Sequence, residues 1–76
     1  MTNKNRAFRV YDGNPVYDEN GNELGLESGA REMHHFDTYE KALKCAQQMS
    51  KRSDKQYVYI FDNVKRTRIE AIKVEH

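Results

Sequence analysis

Few side chains in this sequence could do chemistry, and their spacing narrows what that chemistry would be. His34 and His35 are adjacent. Neighbours on a regular strand point to opposite faces, so the pair does not chelate one ion. His76, the remaining histidine, is the last residue of the chain. The adjacent pair reads as structural or exposed histidines, one of which can serve as a pH-sensitive contact. Cys45 as a nucleophile would need a base and an electropositive pocket. It falls instead beside an apolar helical stripe, three residues after Ala42 and four before Met49. A small, partly buried core residue fits that position better.

The acids Asp18, Glu19, Glu23 and Glu27 lie in "DENGNELGLE". The run has a superficial likeness to a calcium loop, but lacks the register of alternating oxygen ligands closed by a bidentate Glu. It reads as a solvated turn, with electrostatic mimicry as its alternative use: an acidic protrusion can occupy a basic groove meant for nucleic acid. Lys65, Arg66 and Arg68, with Lys51, Arg52 and Lys55, flank the aromatic run "YVYIF". Aromatics on a sheet with basic neighbours are how several single-strand binders stack bases, so a phosphate-binding rim near Tyr57 and Tyr59 is one reading. No glycine-aromatic motif of the RNA-recognition type and no helix-turn-helix pattern accompanies it. A charged hairpin turn is more often solvated, or guards an edge strand. No phosphate-cradling glycine loop and no Ser-His-Asp spacing is present. The expectation is a protein that is not an enzyme, with no metal site and no cofactor.

The elements that must carry these residues are bounded by length. A chain of 76 residues is one domain, and one this short buries only about 60% of the surface its unfolded form exposes. An enclosed cleft would consume core that it can hardly spare. The formal net charge is +1, well short of a classical non-specific DNA binder. The charge is polarised, however. Between Tyr11 and Ala30 every charge is acidic, whereas the bases gather at Lys4, Arg6 and Arg9 and from Lys41 onward. Cys45 is the sole cysteine, so no intramolecular disulfide forms. With no secretory apolar segment and no long apolar run, a reducing cytoplasm and no membrane span are expected.

Met1 to Asn5 is polar and expected to fray. "RAFRVYD" alternates as a strand, with Phe8 and Val10 on one side and Ala7, Arg9 and Tyr11 on the other; "DGNP" stops it. Asn20-Gly21, between Val16-Tyr17 and Leu24/Leu26, is the strongest short hairpin signal. Its strands are short or absent, and Gly25 and Gly29 loosen its base. "AREMHHF" reads as a strand, Met33 and His35 on one face, His34 and Phe36 on the other. A helix follows. Asp37 or Thr38 caps it, Glu40 is placed for a capping box with Asp37, and Tyr39, Ala42, Leu43, Ala46 and Met49 form one apolar stripe. Lys51 and Arg52 suit its C-terminal end. Strands from Gln56 to Asp62 and Thr67 to Val74, joined by "NVKR", make an antiparallel hairpin. The fold expected is α+β: one helix on a mostly antiparallel sheet, in the order β-β-β-β-α-β-β.

One helix covers one face of a sheet, yet the last hairpin is apolar on both. Tyr57, Tyr59 and Phe61 point one way, Val58 and Ile60 the other. Val58 and Ile60 packing under the helix against Leu43, Ala46 and Met49 would leave a tyrosine-rich outer face; the reverse assignment would make the rings the core. Either way one set lacks a helix over it. Such a stripe marks a partner surface, an oligomer interface or a loop that folds over it.

The run "FDTYEKALKCA" followed by an aromatic strand resembles small α+β proteins of phages and mobile elements, anti-CRISPR-like accessory or inhibitor proteins among them. That resemblance implies a non-enzymatic, protein-binding module, an inhibitor of a host defence or nucleic-acid-processing complex. Tyr57, Tyr59 and Phe61 would then make the contact, with Asp18, Glu19 and Glu23 engaging a basic surface. The alternatives are a small nucleic-acid binder using Lys65, Arg66, Arg68, Lys51 and Arg52, and a homodimer formed through the exposed face or an unpaired edge strand.

Overall fold

The computed structural model describes residues 6–27 and 32–75. Met1 to Asn5, Gly29 and the "AR" that begins the expected third apolar run lie outside the described residues. The elements are β1 (Phe8–Gly13), β2 (Pro15–Tyr17), β3 (Glu23–Leu26), β4 (Met33–Phe36), α1 (Tyr39–Met49), β5 (Tyr57–Asp62) and β6 (Thr67–Lys73). Four strands form an antiparallel sheet in the order β4-β1-β5-β6, and β2 and β3 form a separate two-stranded sheet. The α+β order read from the sequence is the one observed.

Helix α1 starts where local chemistry lets it. Thr38 is extended, and its hydroxyl accepts from the Lys41 amide at 3.3 Å. Thr38 is therefore the cap. Asp37 stands one residue outside the helix and pairs with Lys41 at 3.1 Å. The capping box expected between Asp37 and Glu40 is not formed, because the cap sits one residue later and Glu40 falls short of the required position. Glu40 still places its charge in the first turn, where the helix dipole favours it. The helix ends at Ser50, whose amide donates to the Ala46 carbonyl at 2.9 Å. Lys51 and Arg52 lie beyond it, and its last turn carries no base.

The apolar stripe of α1 packs on one face of the large sheet. Ala42, Ala46 and Met49 are buried with Val10, Val58, Ile60 and Val74, and Phe8, Phe36, Tyr39, Leu43 and Ile72 flank them. Two alanines at the contact let the helix approach the sheet closely, so Val58 and Ile60 lie directly under it. Strand register propagates this side across the sheet. Val10 pairs with Ile60 and His34, Phe8 with Phe36, and Val58 with Ile72, and residues opposite one another share a face. Arg9, Tyr11, Met33, His35, Tyr57, Tyr59 and Phe61 occupy the outer face.

Strand β6 does not keep simple alternation. Ile60 pairs with Glu70, but Phe61 pairs with Arg68, so Ile69 is an extra residue in a bulge. By parity alone Arg68 would share a face with Glu70 and Ile72. The bulge turns it to the outer face, while Glu70 stays on the helix side and accepts from the Tyr39 hydroxyl at 2.8 Å.

Candidate functional site

The outer face is neither bare nor an open tyrosine platform. Tyr59, at the centre of β5, is only 2% exposed although no helix lies over it. Its ring is walled by Tyr11 and Tyr57, at centroid distances of 5.4 and 5.9 Å. The Arg68 guanidinium roofs it at 4.0 Å. Arg68 in turn forks to both carboxylate oxygens of Glu23, at 3.0 and 2.9 Å. Glu23 belongs to β3, so the acidic hairpin folds back onto the sheet. Leu26 adds a second contact: a Cβ on Gly13 would lie 3.0 Å from its Cδ1. Glycine at this position lets the strand pass beneath the leucine.

Physical consequences follow for both ends of this stack. Burial is the main cause of a Tyr59 phenol pushed up to about 12. The hydrogen bonds from Arg68 hold the Glu23 carboxyl below its usual value. Tyr57 and Phe61 are half-buried, and Phe61 lies under the Arg9 guanidinium at 4.5 Å.

The hairpin itself is built by its turn. The Gly21 amide donates to the Asp18 carbonyl at 3.1 Å, and the Asp18 amide to the Asn22 carbonyl at 2.9 Å. Gly21 has φ +85° and Asn20 does not have positive φ. This is a three-residue loop with a glycine bulge rather than a two-residue turn on Asn20-Gly21. Asp18 Oδ1 accepts from the amides of Asn20 and Asn22 at 2.9 and 2.8 Å. Those bonds, Asn22's foremost, lower the Asp18 pKa. Its role is to close the loop. Glu19 is exposed at the tip.

What sequence reasoning missed is the apolar surface of this hairpin. Leu24, Tyr17 and Val16 are 68%, 52% and 38% exposed. One shift in pairing explains Leu24: Val16 pairs with Gly25 and Tyr17 with Glu23, leaving Leu24 in a bulge. The short apolar pairs read as strand residues were the available signal, because a two-stranded sheet this small has no second layer to bury them.

The basic residues proposed as a phosphate rim are not brought together. Lys51, Arg52 and Lys55 precede β5, whereas Lys65 and Arg66 form the turn after it. The length of β5 separates the two groups. Arg52 is held by Glu32 at 2.7 Å and Arg68 by Glu23. Arg66 sits in the left-handed region at φ 55°. Among the described residues no group of three acids, histidines or cysteines is placed to hold a metal ion.

A shallow groove of about 330 Å³ runs along α1 beside Phe36, lined by Lys41, Lys44, Cys45 and Gln48. Burial raises the Cys45 thiol, which keeps it protonated and unreactive. No helix is long and apolar enough to cross a membrane. No family model matches the chain, and comparison with curated proteins and with solved structures gives no significant match.

Proposed function

We propose that this chain is a non-enzymatic protein-binding module whose contact surface is the β2–β3 hairpin. One observation carries the reading: three large apolar side chains, Val16, Tyr17 and Leu24, are exposed on a hairpin bordered by Asp18, Glu19 and Glu27. Apolar anchors within an acidic rim suit a partner with an apolar pocket in basic surroundings. The Arg68–Glu23 fork and the Leu26–Gly13 contact pre-position the hairpin, which lowers the ordering cost of binding. Tyr57, which pairs with Gly13, extends the surface at its base, and Tyr59 supports the hairpin from beneath, whereas Phe61 lies at the far end of β5 under Arg9. The resemblance of "FDTYEKALKCA" to phage and mobile-element proteins supports a host defence or nucleic-acid-processing complex as the partner.

Affinity capture from the host, comparing the wild type with the Tyr17→Ser/Leu24→Ser double variant and with Lys65→Ala, tests this. A partner retained by Lys65→Ala and lost by the double variant is the expected result. The same captured set for wild type and double variant overturns it. A salt-sensitive gel shift that depends on Lys65 and Arg66 would favour nucleic acid instead. Light scattering over a dilution series separates both from self-association through the β4 or β6 edge.

A further inference from the structure

Apart from the hairpin, one cluster on the outer face is built from cations with no acid among them. Arg9, near the start of β1, stacks on Phe61 at 4.5 Å and lies 5.6 Å from the centroid of Tyr11. Its Nε is buried and has no acceptor. No ion pair holds Arg9 or Arg6 among the described residues. Across the strand pair, Arg9 faces His35. Arg6 Nη2 lies 3.3 Å from His35 Nδ1. A guanidinium only donates, so Nδ1 is the acceptor and the ring proton sits on Nε2. Two guanidiniums thus flank one neutral imidazole.

The surroundings agree with that electrostatic picture. Burial lowers the His35 pKa first, and the charges of Arg6, Arg9 and His34 lower it further; no carboxylate acts on it. The acids at this end of the sheet are otherwise engaged: Asp37, two residues after His35, pairs with Lys41 at 3.1 Å, and Asp62 pairs with Phe8 on the helix side. Its Oδ1 accepts from the Val64 and Lys65 amides at 2.9 and 3.0 Å. Elsewhere Arg52 and Arg68 are each neutralised by a glutamate. Arg6 is exposed to water, but Arg9 holds a buried, unpartnered Nε on a stacked plane beside a donor-capable imidazole, an arrangement that an anion would complete.

We propose that Arg6, Arg9 and His35 form an anion site for a phosphate group. A dianion matches the two fixed positive charges, whereas a carboxylate leaves one unpaired. Stacking on Phe61 holds the Arg9 plane, so its outer nitrogens form a rigid fork. His35 Nε2 supplies a further N–H donor, and once negative charge arrives protonation of Nδ1 becomes favourable, releasing the Arg6 guanidinium from the ring to the anion. The phosphate is either free or the monoester of a nucleotide, both of which reach the dianion; the phosphodiester of a single strand carries one charge and is expected to bind more weakly.

Binding is read by NMR on the full chain, following the Arg9 Nε–H signal and the titration of the His35 ring. The probes are inorganic phosphate, AMP and a short oligo-dT, with acetate at matched ionic strength as the monoanion control. Phosphate or AMP is expected to raise the His35 pKa by about one pH unit, and to shift the Arg9 signal. Arg9→Gln, which keeps much of the stem's packing, should weaken binding at least about tenfold, as loss of a charge-assisted hydrogen bond does. The tightest of the three phosphate probes identifies the source. If none moves His35, if acetate moves it as far, or if Arg9→Gln binds as well as the wild type, the proposal is wrong. Circular dichroism of Arg9→Gln ensures that loss of binding is not loss of fold.

Discussion

Arg68 lies over Tyr59, its guanidinium carbon 4.0 Å from the ring centroid, on the sheet face that carries no helix. The pairing makes Val58, Tyr59 and Ile60 buried in succession, at 0%, 2% and 0% exposure. A strand buried on both faces normally needs a layer on each side. Here α1 supplies one, and an arginine held by the acidic hairpin supplies the other.

Replacing Arg68 by alanine should therefore do more than remove a surface ion pair. A half-exposed pair plus a stacked cation contribute about 1 kcal/mol together. The expected denaturation midpoint drops accordingly, and the amides of Gly21 and Asn22 exchange faster as the hairpin loses its anchor. Glu23→Gln should show a smaller loss of the same kind. Unchanged hairpin exchange in Arg68→Ala would mean that Leu26 alone holds it.

Stability at high pH should report on the same ring. The Tyr59 phenol ionises in the unfolded chain near its ordinary value of 10.0 but in the fold only at about 12. Its neutral form is the one the fold favours. The contribution is fully present below pH 10 and is lost as pH rises from about 10 towards 12. A Tyr59→Phe variant should lack that loss, measured by urea titration across the alkaline range.

At the acid end the sign reverses. Hydrogen bonds from Arg68 and Arg52 lower the pKa values of Glu23 and Glu32 below 4.5. Their pairs are intact above that pH and are lost as pH falls through the lowered values. Glu23→Gln should flatten part of the decline in stability between neutral and acid pH.

Arg66 adopts φ 55° in the turn between β5 and β6. A residue with a side chain pays about 1–2 kcal/mol in that region, and glycine gives back part of the gain through its freer unfolded chain. Arg66→Gly should stabilise the protein by about 0.5–1 kcal/mol, raising Tm by several degrees. A fall in Tm would show that the Arg66 side chain makes a contact worth more than the strain.

The helix cap gives a clean local comparison. Thr38→Ala should cost about 1 kcal/mol, while Asp37→Ala, which loses a fully exposed pair with Lys41, should cost less. Reversal of the two would place the cap at Asp37.

Much of this architecture was legible because it depends on local periodicity. The spacing of Tyr39, Ala42, Leu43, Ala46 and Met49 determines a helix with one buried stripe, and alternation in "YVYIF" determines a strand with two apolar faces. Counting one helix against those two faces showed that one face needed another cover. Those periods left open which set lies under the helix, and the tertiary structure places Val58 and Ile60 there with Ala46 and Met49, Leu43 flanking them. Which cover the rings receive depends on contacts that no local pattern encodes. Glu23 and Arg68 are 45 residues apart, and they meet only because the Ile69 bulge reverses the parity of β6. The hairpin's exposed Leu24 likewise depends on a shift of pairing beside Val16. Side-chain period is a property of the chain, but register, bulges and the docking of one sheet on another are set by pairing between distant segments, and those were decided by the tertiary structure.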